Sequence, residues 1–147
     1  MRKRLLAAII ALSGCAPNVT PCGLRLQGEA WLSVEDLNAA ESMTLQRIGP
    51  LVEGDACAAL DGFTVTALPP GTWEASTQEG LVDVDGLANC ATRQIEVADP
   101  LGPWQFSSLA HELAHAMTRC DGHRGWTERG ITQALVNVYF TAVPDIR

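Results

Sequence analysis

Lysine is almost missing from this chain of 147 residues: Lys3 is the only one, and Tyr139 is the only tyrosine. Ten basic side chains stand against 17 acidic ones, and beyond Arg4 the basic ones nowhere gather into a stripe. Without such a stripe there is nothing to displace counterions from phosphates, which excludes nucleic acid as a partner. Long apolar runs are missing as well. Leu5 to Leu12 is apolar but falls well short of the ~20 residues that a membrane-spanning helix needs. No internal repeat and no low-complexity segment is present. Histidine is also scarce, with three in the chain, so their placement carries unusual weight.

The short apolar run follows a basic start, Met1-Arg2-Lys3-Arg4, and leads directly into Leu12-Ser13-Gly14-Cys15. A basic region, a short apolar core and small residues form a processing signal, not part of the fold. The last four residues resemble the lipobox of bacterial lipoproteins. That resemblance implies cleavage before Cys15, a diacylglycerol on its sulfur and a lipid-anchored protein of the cell envelope. Ala16, in the second mature position, implies sorting to the outer membrane. Asn18-Val19-Thr20 matches a glycosylation sequon but is uninformative in a bacterial lipoprotein. Residues 1–14 are thus expected to be signal, 15–21 a lipidated tether, and 22–147 one domain, the right size for a single core. Losing Arg2, Lys3 and Arg4 takes the net charge from −7 to about −10, which describes a solvated surface.

Besides Cys15, the chain has Cys22, Cys57, Cys90 and Cys120, an even number that in an exported protein argues for two disulfides. Local patterns select among the three connectivities. Gly23 to Gln27 reads as a strand and Ser33 to Arg47 as a helix, with Ser33 and Asp36 as a capping pair and Gly49-Pro50 as the stop. A strand followed by a helix returns the chain toward its start and brings Cys57 near Cys22. Gly62 to Leu68 alternates as a strand does, Pro69-Pro70-Gly71 turns the chain, and Thr72 to Thr77 with Gly80 to Val84 forms a hairpin. Arg93 to Ala98 is a further strand, with Ile95 and Val97 on one face. The strand near Cys90 and a helix ending near Cys120 each run about 20 to 26 Å, so their far ends can meet and pair these two cysteines.

The most informative segment is His111-Glu112-Leu113-Ala114-His115. On a helix, His111 and His115 project about 40° apart and one turn along the axis, so two ring nitrogens can converge on one zinc ion. Glu112 sits about 100° round from His111, where its carboxylate can act as general base on a metal-activated water. Leu109, Ala110, Leu113, Ala114, Ala116 and Met117 fall on the opposite arc and can be buried. Ser107 or Ser108 can cap the helix after Pro100 and Pro103. Cys120 falls on the buried arc, which favours a structural thiol over a ligand.

A catalytic zinc needs a third protein ligand and an open position. His123, in Asp121-Gly122-His123-Arg124-Gly125-Trp126, is the first candidate; Glu128 and Asp121 are the others. Asp121 stands six residues after His115, but Thr118 replaces the glycine that would turn the chain toward it. A second helix is expected from Thr127 to Val143.

The stretch from about Cys90 to Gly130 resembles the SprT-like and related minimal zincin metallopeptidases. The resemblance rests on Arg93-Gln94-Ile95-Glu96-Val97 as an edge strand, Leu109 to Ala116 as the active helix, and Gly122 to Trp126 as a glycine-histidine element closed by an aromatic. It covers under a third of the chain and lacks the zinc ribbon of that family. It implies zinc held by His111, His115 and His123, Glu112 as base, and a peptide or protein substrate pairing with the edge strand. The fold expected is α+β and zincin-like: a small twisted sheet, a supporting first helix, the metal helix and a C-terminal helix.

Tyr139 or Arg124 could stabilise the oxyanion, although Leu135, Val138 and Phe140 around Tyr139 favour a core role. Trp31, Trp73, Trp104 and Trp126 read as core or edge aromatics, with Trp126 able to wall the metal loop. The competing functional class is an envelope binding or scaffold lipoprotein that keeps the fold or the zinc without turnover; an intact Glu112 argues for the enzyme. The anchor is directly testable. Intact-mass analysis in a bacterial host should find lipid on Cys15 of the wild type and an unprocessed, unlipidated chain for Cys15→Ser; a wild type without lipid removes the anchor.

Overall fold

The computed structural model describes residues 18–77, 79–99 and 107–135. The signal segment, Cys15, Pro100, Pro103, Trp104, Val138, Tyr139 and Phe140 lie outside them. The fold is mixed α+β with two sheets. No helix among the described residues is long and apolar enough to cross a membrane.

Strand β1 (Arg25–Gly28) leads into helix α1 (Val34–Ile48), then a 3-10 turn (Gly49–Leu51) and the short helix α2 (Ala56–Leu60). Ser33 and Asp36 form the expected capping box: the Asp36 N–H donates to Ser33 Oγ at 3.0 Å and the Ser33 N–H to Asp36 Oδ2 at 3.2 Å. Each bond satisfies a donor that the helix start leaves without an intrahelical partner. Leu37, Ala40, Glu41, Thr44 and Ile48 recur at helical spacing and form the buried face. One of these is a carboxylate. Glu41 accepts from Thr20 Oγ1 and from the Cys22 N–H, so burial of its charge is offset by bonds to the N-terminal turn.

Strands β2 (Thr64–Ala67), β3 (Trp73–Thr77), β4 (Gly80–Val84), β5 (Gly86–Asn89) and β6 (Gln94–Val97) follow, then helix α3 (Ser107–Met117). The main sheet runs β1-β2-β6-β5, with the first three strands parallel and β5 antiparallel to β6. Val65, Ala67, Ile95 and Val97 alternate onto its buried face, where they join α1, α2 and α3 in one hydrophobic core. Strands β3 and β4 make the expected hairpin as a sheet of their own, pairing Trp73 with Val84 and Thr77 with Gly80. Trp31 is half-buried and its Nε1 donates to Leu68 O at 2.8 Å, an edge aromatic as expected.

Both disulfides join the expected pairs, Cys22 with Cys57 and Cys90 with Cys120. The first links the turn before β1 to α2; the second links the end of β5 to the turn after α3.

Three expectations need correction. The segment 93–97 is not an edge strand: β6 is paired on both sides, and the edge beside α3 is β5, which interior alternation in the sequence did not reveal. Ser107 and Ser108 lie inside α3, where Ser108 Oγ bonds Asp99 Oδ2 at 3.2 Å in place of capping the start. The second helix does not begin at Thr127. Residues 127–130 are turn and 131–135 are helical, because Gly130 adopts φ +77°, a left-handed conformation that breaks the run.

Removing either bridge should lower stability by about 2 to 5 kcal/mol, measured by urea unfolding of the double serine variants at both pairs. Non-reducing peptide mapping that recovered Cys22 joined to Cys90 or Cys120 would contradict the connectivity.

Candidate metal centre

Helix α3 buries Leu109, Ala110, Leu113, Ala114, Ala116 and Met117 to 2% exposure or less, the arc expected from the sequence. With that face packed against β5, β6, α1 and α2, His111 and His115 turn into a cleft of about 830 Å³. Strand β5 and the β3–β4 hairpin supply its other walls. After α3 the chain reverses through Arg119 and Cys120, both left-handed at φ +57° and +54°, and the Cys90–Cys120 bridge secures the turn. This reversal carries His123 back to the motif.

The three imidazoles converge through the same atom. His111 Nε2 lies 3.0 Å from His123 Nε2 and 3.1 Å from His115 Nε2. Two nitrogens on one tetrahedral zinc, each about 2.05 Å from it, would stand about 3.3 Å apart. The group could therefore hold a metal ion, and it is composed of His111, His115 and His123. Asp121 and Glu128 are not in it. Asp121 is instead paired with Arg129 at 3.1 Å, and Glu128 is exposed.

Trp126 supports all three rings. Its indole is 3% exposed, with ring centroids 5.2 Å from His111, 4.6 Å from His115 and 4.8 Å from His123. Its Nε1 has no hydrogen-bond partner among the described residues, so the contact with the imidazoles is one of packing.

Burial sets the protonation of the site. It pushes His111 down to about 4, helped by the charge of His123 and opposed by Asp85. His115 falls to about 3, again through burial first, then through His111 and His123, with Asp121 opposing. Both rings therefore stay neutral at ordinary pH, the form in which an imidazole nitrogen can donate to a metal. Glu112 moves the other way. Burial raises its carboxyl to about 7, a hydrogen bond from the Ala88 backbone partly offsets this, and Asp85 adds to the rise.

The Ala88 contact follows from strand pairing. Ala98 N–H donates to Asp85 O, and alternation along the antiparallel ladder then turns the polar groups of Gly86 and Ala88 away from β6. Gly86 also leaves the space that Glu112 occupies. A Cβ there would lie 2.9 Å from Glu112 Cγ and 3.1 Å from its Oε1, so a larger residue would displace the carboxylate.

Sequence reasoning missed Gly86, Asp85, Arg119 and Glu79. Asp85-Gly86 carries a turn signature that hides its place beside the motif helix, and the other two give no local sign. Arg119 lines the cleft, whereas Arg124 is exposed and does not. Comparison with protein-family models, with curated proteins and with solved structures found no match.

The raised Glu112 carboxyl has a consequence for the metal-free protein. A group with a folded pKa near 7 and an ordinary value of 4.5 contributes stability below pH 4.5 and loses it as pH rises through 7. Glu112→Gln removes that charge. In the presence of chelator, its urea midpoint should exceed that of the wild type by more at pH 8 than at pH 5. An equal difference at both pH values would show that Glu112 is not held above its ordinary range.

Proposed function

We propose that the protein is a zinc-dependent metallopeptidase of the zincin type, with Glu112 as general base. One observation carries this reading: three imidazole nitrogens, two of them from rings held neutral by burial, converge beside a buried carboxylate in an open cleft. Imidazole also serves copper, nickel and iron, but three such nitrogens with room for a further ligand are the donor set of a catalytic zinc. When bound, zinc would supply Lewis acidity, polarising the scissile carbonyl and acidifying a water at neutral pH.

The chain's own residues supply the remaining steps. Glu112 accepts a proton from the attacking water as its oxygen bonds to the carbonyl carbon, then delivers that proton to the amide nitrogen as the C–N bond breaks. A carboxyl poised near 7 suits both transfers. The outward N–H and C=O of Gly86 and the C=O of Ala88, whose N–H is already engaged by Glu112, suit an extended peptide adding to β5, with the hairpin facing it across the cleft. With the lipid anchor read at Cys15, the substrates are peptides or proteins met at the cell envelope.

The test compares zinc-loaded wild type, Glu112→Gln and chelator-treated protein on an unfolded protein and a diverse peptide library. The wild type should cleave. Glu112→Gln should keep its zinc and lose at least about 10² to 10⁴-fold in rate, the range of general acid–base catalysis. A wild type that cleaves nothing in the panel supports the scaffold reading. Undiminished cleavage by Glu112→Gln removes this carboxylate from the mechanism.

A further inference from the structure

The β3–β4 hairpin stands apart from the rest of the molecule. It forms its own two-stranded sheet, and among the described residues none of its side chains belongs to the main hydrophobic core. Nevertheless its residues wall the cleft, and at its tip Glu79 reaches across to the metal loop. Glu79 Oε1 lies 3.4 Å from His123 Nδ1, although the two residues are 44 positions apart in the chain. The tip is shaped for this reach. Glu79 N–H donates to Thr77 Oγ1 at 3.1 Å, and the same hydroxyl donates to Gly80 O at 3.1 Å, which fixes the backbone that carries the carboxylate.

The atoms involved make the contact more than a surface ion pair. His123 Nε2 faces the other two histidines, so Nδ1 is its remaining nitrogen, and Nδ1 is the atom that meets Glu79. An ionised carboxylate only accepts hydrogen bonds, so this pairing puts the ring proton on Nδ1 and leaves the Nε2 lone pair for a metal. His111 and His115 are anchored by α3, whereas His123 sits on a turn with an exposed ring and most needs an external orienting group.

We propose that Glu79 is a positioning residue for His123, and that this contact latches the β3–β4 hairpin over the metal site. The proposal rests on the metal-site reading above. It also has a reciprocal side, because a contact that favours metal binding is itself favoured when metal binds. Zinc should therefore hold the hairpin wall in place, and removal of zinc should loosen it.

Zinc affinity of the full chain is measured by chelator competition for wild type, Glu79→Ala, Glu79→Asp and His123→Ala. Glu79→Ala should weaken zinc by about 10 to 100-fold, as loss of an outer-shell partner does. Glu79→Asp should recover part of that loss. The Glu79 side chain is 72% exposed, so urea midpoints of the metal-free variants should match the wild type; a merely structural role would move them. Hydrogen exchange of the amides at 80–84 should slow on zinc addition in the wild type and respond less in Glu79→Ala. If the wild type binds one zinc that His123→Ala loses while Glu79→Ala binds within twofold of wild type, this proposal falls and the metal-site reading stands. Equal zinc protection of the hairpin in both proteins also overturns it. A wild type that binds no zinc overturns both.

Discussion

Burying one face of α3 is the constraint on which the site depends. Six apolar side chains over nine residues are withdrawn from water between the sheet and the other helices, leaving the helix no freedom to rotate. Its opposite face must then present His111 and His115 to the cleft, with Glu112 at the boundary, where it is only 7% exposed. The same burial that holds the helix raises the Glu112 carboxyl and keeps both imidazoles neutral. Packing and protonation thus have a single physical origin.

The histidine that completes the group is held differently. His123 is half-exposed and lies beyond the helix, so the hydrophobic effect does little to place it. Its position comes from a sharp reversal through two left-handed residues, a disulfide across that reversal, and the buried indole of Trp126 against all three rings. The Cys90–Cys120 bridge ties this turn to β5, the strand whose outward edge faces the cleft. The loop that carries His123 and the β5 wall of the cleft are thereby covalently connected, although they come from separate parts of the chain.

Much of the architecture was legible because its causes are local. The capping box at Ser33 and Asp36, the hairpin around Glu79, and the apolar arc of α3 all involve residues within a few positions of one another. The disulfide pairing could also be read, since strand and helix rises determine how far each excursion carries a cysteine. The edge position of β5 is not legible in the sequence, because alternation reports which face of a strand is buried, not which neighbours it pairs with. The start of the second helix is likewise hidden, because helical periodicity at Thr127 does not reveal that Gly130 is left-handed.

By itself, the sequence determined the chemistry on offer: a helix presenting two imidazoles and a carboxylate on one side, with a third histidine nearby in the chain. These follow from side-chain identity and the 3.6-residue turn, which need no knowledge of the rest of the fold. Only the tertiary structure decided what surrounds them. Gly86 clearing space for Glu112, Ala88 donating to it, Asp85 acting on its charge and Glu79 reaching His123 all join residues 24 or more positions apart. Such contacts depend on how strands pair and loops close, and no periodicity along the chain encodes them.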